Sequence, residues 1–258
     1  MLVCLKQAQC LMDYDYFIFS SHKTGTQSIV NTFKKNGLNA VHLHSTRNFG
    51  LSSDSFRDIL RKRNEKGANR PIIITNFRLP IERHISSFFQ WNGVGVLRKD
   101  PNLKEEDTVI SKFDVGELNE LFVSNLKSSK FVGYAESIHE IFNIFFLKPS
   151  DLSAGFTPHS FQISHELADI YFFRFDELFK DCSATLSSII QITLKEYNAN
   201  ISSEKWYSSK LLEFKNNLQI PPSVIEETYR YRKDLINLYY PGSYESLKDN
   251  DAKTYRCK

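Results

Sequence analysis

Residues 16–29 read YFIFSSHKTGTQSI, and this stretch decides the fold predicted for the chain. Its aromatic and β-branched beginning, residues 16–20, is typical of a buried strand. A tight turn around Gly25 follows, and residues 26–36 have the pattern of a helix that stops at Gly37. A strand, a turn and a helix N-terminus in this order form an anion site, because the first N–H groups of a helix lack partners and point outward.

The same alternation of strand and helix continues along the next part of the chain. Residues 40–45 and 71–76 predict two further strands, with a basic amphipathic helix between them. This order indicates an α/β fold with a central parallel sheet flanked by helices. Ligands bind beyond the carboxyl ends of parallel strands, so we expect the turn at Lys23, His44 and Arg78 to meet at one edge of the sheet.

The remainder of the chain is predicted to be mainly helical, with a helical C-terminal part. The expected elements are a strand at 169–178, helices at 113–127, 133–146, 181–198 and 223–239, a loop at 91–107 and a connection at 148–159. We expect one domain over residues 1–258, with peripheral tails at 1–12 and 249–258.

Composition limits the classes of function. A net charge of +3 is too mild for a nucleic-acid-binding protein, which needs a clustered basic face. The four cysteines have no metal-ligand spacing, so we expect no metal site and a reducing, cytoplasmic setting. No apolar run reaches the roughly 18 residues that span a bilayer, so we expect no transmembrane segment.

The turn itself reads Lys23-Thr24-Gly25-Thr26. It departs from the usual P-loop, in which Gly precedes Lys and a following Ser or Thr holds magnesium. It resembles the 5′-phosphosulfate loop of sulfotransferases that use 3′-phosphoadenosine 5′-phosphosulfate (PAPS). An ordinary strand–helix turn is the alternative. The resemblance implies that the following residues bind the donor: His22, Lys23, Thr24, Gly25, Thr26, Gln27 and Ser28.

A second motif follows the third predicted strand, where residues 77–89 read FRLPIERHISSFF. Arg78, Pro80, Arg83 and Ser86 match Arg-x-Pro-x-x-Arg-x-x-Ser, and this resembles the 3′-phosphate site of the same family. The planar guanidinium of Arg78 can take a phosphate in two hydrogen bonds, and Ser86 can offer a hydroxyl. The alternative is a solvated basic helix start, and a structural role is nearly as well supported for Arg83.

A third resemblance concerns residues 204–208, which read EKWYS. They are similar to the NKWYS sequence of a bacterial group named for capsular polysaccharide synthesis, with Glu204 in place of Asn. This similarity implies a carbohydrate acceptor. Residues 169–178 resemble the late strand of the sulfotransferase fold, with the acids in the order Asp176-Glu177.

Together the resemblances imply a PAPS-dependent sulfotransferase with a three-layer, P-loop-like fold. Such an enzyme moves a sulfuryl group to an acceptor hydroxyl, releases 3′-phosphoadenosine 5′-phosphate (PAP) and needs no metal. Lys23 is the expected stabiliser of the leaving phosphate. His44 is the expected general base and His42 the second choice, although either could be structural. The rival hypotheses are a P-loop nucleotide kinase or phosphotransferase, and a non-catalytic module that binds a nucleotide or a saccharide.

Overall fold

The computed structural model describes residues 10–128, 137–152, 160–195 and 204–256. The chain divides into two compact units. The first unit comprises Met1–Arg78 and Ala135–Ala199, and the second comprises Leu79–Tyr134 and Asn200–Lys258. Parts of the predicted helix at 133–146, of the connection at 148–159 and of both predicted tails lie outside the described residues.

The helices are numbered along the chain. They are α1 Thr26–Lys35, α2 Ser53–Glu65, α3 Pro80–Gln90, α4 Val96–Lys99, α5 Val109–Lys112, α6 Val115–Lys127, α7 Ser137–Phe145, α8 Pro149–Leu152, α9 Phe175–Leu178, α10 Cys182–Ile190, α11 Ser208–Asn217, α12 Pro222–Arg230, α13 Lys233–Tyr239 and α14 Tyr244–Thr254. Among the described residues, no helix combines the length and the apolar character needed to cross a membrane.

The first unit is built on a five-stranded mixed sheet in the order β2-β1-β3-β5-β4. The strands are β1 Tyr16–Phe19, β2 Ala40–Leu43, β3 Ile72–Phe77, β4 Ser160–His165 and β5 Ala168–Arg174. Strand β1 pairs in parallel with β2 and β3, and β3 pairs in parallel with β5. Strand β4 pairs antiparallel with β5 at the edge.

Helices cover both faces of this sheet, because alternation along β1 sends its side chains to opposite sides. On one face Ile18 belongs to a buried cluster with Phe33 of α1 and Leu186 of α10. On the other face Phe17 meets Phe56 of α2 edge to face, with ring centroids 5.6 Å apart. Strand β3 lies in the middle of this sheet, so its unbroken apolar run fits the prediction of a central strand that is buried on both faces.

The α/β class and the first three parallel strands are confirmed, and the sheet that was predicted to be parallel is mixed because of its edge strand β4. Strand β4 was not predicted, and a two-residue turn at 166–167 joins it to β5. A connection this short permits only antiparallel pairing. The helix predicted at 181–198 ends at Ile190, because Gln191 adopts a left-handed backbone with φ 57°.

In its described part the second unit consists of helices without strands. Its core is a group of aromatic rings from α3, α6 and α11. Phe214 lies with its ring centroid 5.1 Å from Phe89, 5.6 Å from Phe122 and 5.9 Å from Phe88. These rings hold together helices that are far apart in the sequence, because aromatic pairs at such distances add to the gain from burial.

Three expectations for this unit are wrong. The loop predicted at 91–107 is helical over residues 91–99, where a π turn, Trp91–Gly95, leads into α4. The helix predicted at 223–239 is two helices, α12 and α13. The tail predicted at 249–258 is helical to Thr254, and the Tyr229 hydroxyl donates to the Asp251 carboxylate of this helix at 2.6 Å.

We expect Phe214→Ala to lower the free energy of unfolding by about 3–5 kcal/mol, since it removes a fully buried ring and leaves a cavity. Leu212→Ala on the same helix is the matched control, because Leu212 is 62% exposed and its loss changes stability by about 0.5 kcal/mol or less. Urea unfolding followed by tryptophan fluorescence measures both, as Trp91 and Trp206 lie in this unit. Equal effects of the two substitutions contradict the assigned core.

Candidate functional site

The turn between β1 and α1 has a strained backbone. Lys23 adopts φ 66° and Gly25 adopts φ 70°. The left-handed conformation costs a non-glycine residue about 1–2 kcal/mol, so other contacts must hold Lys23 in place. Two side chains from the end of β3 do so. The Asn76 amide donates to the Thr24 carbonyl at 2.6 Å, and the Arg78 guanidinium donates to the Lys23 carbonyl at 3.1 Å.

These two hydrogen bonds also orient the N–H groups of the turn. Each accepting carbonyl shares a planar trans peptide with the next N–H, so the N–H groups of Thr24 and Gly25 point away from Asn76 and Arg78. Gly25 provides no side-chain cap for α1, and the first turn of α1 contains no acidic residue. The positive end of α1 therefore has no counter-charge from its own first turn, as an anion site requires.

Arg78 connects this turn to an aromatic pair. Its guanidinium lies over the Phe175 ring, 4.5 Å from the centroid. The Phe175 and Phe179 rings pack together with centroids 4.8 Å apart. The Phe179 ring in turn lies so close to Gly25 that an added Cβ would overlap it. Sequence reasoning noted the segment from Arg174 to Leu178 but assigned its aromatic rings no place at the site.

The predicted hydroxyl ligands of the turn are buried, namely Thr24, Thr26 and Ser28. The Thr24 hydroxyl donates to the Ser21 carbonyl at 2.7 Å and lies 3.3 Å from the Thr26 hydroxyl. Because the Thr24 proton is used within the turn, the turn offers a ligand its backbone N–H groups rather than this hydroxyl. Among the remaining predicted ligands, His22 and Gln27 are exposed.

Three histidines cluster beside the turn. His42 and His44 share one face of the sheet, as the alternation in β2 predicts, and His42 Nε2 lies 3.1 Å from His44 Nδ1. His44 Nδ1 also lies 2.8 Å from the Ser20 carbonyl. The His22 ring packs against the His44 ring with centroids 3.6 Å apart. The ends of β1 and β2 are thereby joined through His44.

These contacts fix the neutral tautomers. The Ser20 carbonyl can only accept, so His44 Nδ1 must carry the proton and His44 Nε2 the lone pair. His42 Nε2 then accepts from the same N–H, which leaves the His42 proton on Nδ1. Gln27 Nε2 lies 3.2 Å from His42 Nδ1. Amide oxygen and nitrogen positions interchange by a flip, and only the Gln27 oxygen can accept this proton.

The environment keeps two of these histidines neutral. Burial lowers the pKa of His44, although its hydrogen bond to the Ser20 carbonyl acts in the opposite direction. Burial, followed by the nearby His44 and His22, lowers the pKa of His42 to about 3. A neutral imidazole can take up a proton, so the lone pair on His44 Nε2 is suited to a general base.

The carboxyl ends of β1 and β3 also contain buried polar side-chain atoms that form no hydrogen bond with the described residues. Within the described chain, Ser20 Oγ, Thr75 Oγ1 and Asn76 Oδ1 have no hydrogen-bond partner. Such atoms are rare in native proteins and call for an explanation. This edge of the sheet has more hydrogen-bonding capacity than the described residues use, as expected of a site for a polar ligand or water.

Helix α7 supports the site from a part of the chain in which the sequence analysis found no motif. The backbone N–H of Ser137 donates to Ser21 Oγ at 3.2 Å, and its hydroxyl donates to the His44 carbonyl at 2.9 Å. Glu140 accepts a hydrogen bond from the Thr46 N–H at 3.0 Å. Only the folded arrangement brings these residues to the ends of β1 and β2, so no local spacing could have revealed them.

The other predicted site residues belong to the second unit. Ser86 is half-buried on α3, and Arg83 on the same helix is buried. Tyr207 of the EKWYS segment is buried against Phe89, with ring centroids 5.6 Å apart. Within the described ranges, no group of three or more His, Cys, Asp or Glu side chains is arranged to hold a metal ion.

Comparison with protein-family models, with curated proteins and with solved structures found no match to this chain. The contacts around Lys23, His44 and Arg78 therefore carry the functional interpretation. The turn offers N–H groups, a lysine and an arginine to an anion, and His44 offers a lone pair nearby. This combination can bind a phosphate-like group and accept a proton.

We expect Gly25→Ala to destabilise the protein more than Gly67→Ala. Both glycines have a positive φ, so both substitutions carry the left-handed penalty of about 1–2 kcal/mol. Only Gly25 also has an aromatic ring against it, since nothing lies within 4 Å of a Cβ at Gly67. Overpacking adds about 1–3 kcal/mol. Urea unfolding measures the difference, which should disappear when both glycine substitutions are compared in a Phe179→Ala background. A difference that survives in this background refutes the contact.

The lowered pKa of His42 makes stability depend on pH. Between pH 6.5 and about 3 the unfolded state binds a proton that the folded state does not, so stability falls as the pH falls. We expect His42→Gln to reduce the loss of unfolding free energy between pH 7 and 4.5 by about 1–3 kcal/mol. His139→Gln, at an exposed position, is the control for removing an imidazole. An unchanged loss in His42→Gln argues against the buried, neutral His42.

Proposed function

We propose that the chain is a PAPS-dependent sulfotransferase, with a P-loop-like arrangement of its sheet and a carbohydrate hydroxyl as acceptor. One observation carries the proposal. Two motifs that the sequence places in separate segments touch each other, since Arg78 donates to the Lys23 carbonyl at 3.1 Å. This contact sets two cationic residues beside an uncapped helix N-terminus, as a doubly phosphorylated nucleotide requires.

In this proposal the donor is held by backbone and cation together. The N–H groups of residues 24–27, with His22, Lys23 and Ser28, bind the 5′-phosphosulfate. Arg78 binds the 3′-phosphate through its planar guanidinium. Gly25 lets the backbone come close to the ligand.

The transfer needs an in-line attack and a place for one proton. The acceptor oxygen bonds to sulfur while the bond from sulfur to the 5′-phosphate oxygen breaks, and PAP leaves with both electrons of that bond. The acceptor proton goes to His44 Nε2, the atom with the lone pair. Lys23 stabilises the negative charge that develops on the departing oxygen. The Ser20 carbonyl keeps His44 in the productive tautomer.

The cellular setting is part of the same proposal. Cys10 and Cys182 carry free thiols, and Cys4 and Cys257 lie outside the described residues. Free thiols persist in reducing compartments, which supports the cytoplasmic location predicted from the cysteine content.

The test is the thermal stability of the protein with and without PAP. A ligand that binds only the folded state stabilises it by about 2.7 kcal/mol at a hundredfold excess over Kd. We expect PAP to raise the Tm, and Arg78→Ala to reduce or abolish the rise. Arg61→Ala is the matched control, because the Arg61 side chain is 50% exposed on α2 and forms an ion pair with Asp58 on the same helix.

The alternatives give other results. A rise in Tm with ATP and magnesium, together with none for PAP, would replace the sulfotransferase with a nucleotide kinase. A rise with PAP without transfer of labelled sulfate from PAPS to a mixture of saccharides would indicate a binding module. Transfer in the wild type that is lost in His44→Gln, with the response to PAP retained, supports His44 as the base.

A further inference from the structure

A second concentration of unusual features lies in the second unit, around the π turn Trp91–Gly95. π turns are rare and occur frequently at functional sites. Gly93 in this turn is buried, and a Cβ there would lie 3.1 Å from the Tyr207 ring and 3.3 Å from the Trp206 ring. The EKWYS segment thus packs directly on the π turn, which brings both tryptophans of the chain into one region.

Cationic side chains accompany these rings. Lys99 Nζ lies 5.5 Å from the centroid of the Trp91 ring, and Lys205 Nζ lies 5.6 Å from that of Tyr207. Burial and the nearby charge of Arg98 lower the pKa of Lys205. We call Trp91, Arg98, Lys99, Lys205 and Trp206 the aromatic–basic surface. Like charges held this close repel each other, and a bound anion would relieve the repulsion.

Among the described residues, no carboxylate forms an ion pair with Arg98, Lys99 or Lys205. Asp100 accepts hydrogen bonds from the backbone and side chain of Asn102, at 3.0 and 3.1 Å. Glu204 is exposed, and no carboxylate is among the causes of the lowered Lys205 pKa. The surface therefore has charge complementarity for a negatively charged partner.

Two further observations indicate that this partner is a sugar. Trp91 is 39% exposed, so part of its ring is open to solvent and available to a ligand. Within the described chain, the buried indole N–H of Trp206 has no hydrogen-bond partner. A buried indole normally has one. A ring face for apolar C–H groups beside donors for oxygen atoms matches the mixed character of a saccharide.

We propose that the aromatic–basic surface binds an anionic saccharide, a chain that carries carboxylate or sulfate groups. The sugar ring stacks on Trp91, and its acidic groups pair with Arg98 and Lys99, whose charge-assisted hydrogen bonds are the strong ones. The binding stands independently of the donor site. The role of this saccharide as the sulfate acceptor rests on the proposed function.

Tryptophan fluorescence tests the proposal directly, because Trp91 and Trp206 are the two tryptophans of the chain. The full-length protein is titrated with oligogalacturonate as an anionic saccharide, dextran as a neutral one, and tripolyphosphate and a single-stranded oligonucleotide as anions that are not saccharides. We expect a saturable change with oligogalacturonate that weakens as salt rises, and weaker binding of the other three probes.

Substitutions locate the binding. Arg98→Ala and Lys99→Ala should each weaken oligogalacturonate binding by about tenfold, the loss typical of one charge-assisted hydrogen bond. Arg230→Ala and Lys104→Ala remove equivalent charges from exposed positions in the same unit and should leave the affinity unchanged. Calorimetry replaces fluorescence for Trp91→Ala, which should bind several-fold more weakly.

The results separate this proposal from the sulfotransferase proposal. A saturable response to oligogalacturonate without a response to PAP supports the proposed saccharide-binding surface and refutes the proposed donor site. A response to PAP without a response to oligogalacturonate supports the proposed donor site and refutes the saccharide-binding surface. If tripolyphosphate or the oligonucleotide binds as tightly as oligogalacturonate, the proposal of a saccharide site is refuted, and the surface is only a positively charged patch. Trp91→Ala should retain the wild-type response of Tm to PAP, which shows that the variant is folded.

Discussion

The geometry of the first unit's site depends on two side chains that come from the end of one strand. Asn76 and Arg78 take up the carbonyl oxygens of the turn before α1, and they hold Lys23 in a backbone conformation that lysine disfavours. The N–H groups of the turn face the other way as a consequence. The turn at this sheet edge therefore presents its N–H groups in fixed directions, and under the proposed function no donor has to move when the anionic ligand arrives.

The protonation of the histidines likewise depends on a neighbouring backbone group. A single carbonyl, that of Ser20, decides which nitrogen of His44 carries the proton. His42 contacts His44, and Gln27 contacts His42, so the hydrogen bonds continue from His44 to Gln27. The Ser137 hydroxyl of α7 also donates to the His44 carbonyl. The imidazole of His44 therefore has a fixed tautomer, and the fold sets which of its nitrogen atoms can accept a proton.

The sequence predicted the elements that are determined by residues close together in the chain. Strands β1 to β3, helix α1 and the common edge of the Lys23 turn, His44 and Arg78 followed from hydrophobic pattern and parallel topology. It missed β4, whose alternating burial is weak at a sheet edge, and the contacts of Phe179 and Ser137, which join distant segments. It also mistook the glycines of the π turn for a loop, although Gly93 serves close packing there.

The π turn has a consequence for chain length. Its hydrogen bonds reach one residue further than those of an α-helix, so the turn accommodates one residue more. A chain shortened by one residue between α3 and α4 would return to α-helical phase and rotate everything beyond by about 100° around the helix axis. Lys99 would then lose its position over the Trp91 ring. In related chains, the spacing between Pro80 and Lys99 would therefore be as informative as the residue types themselves.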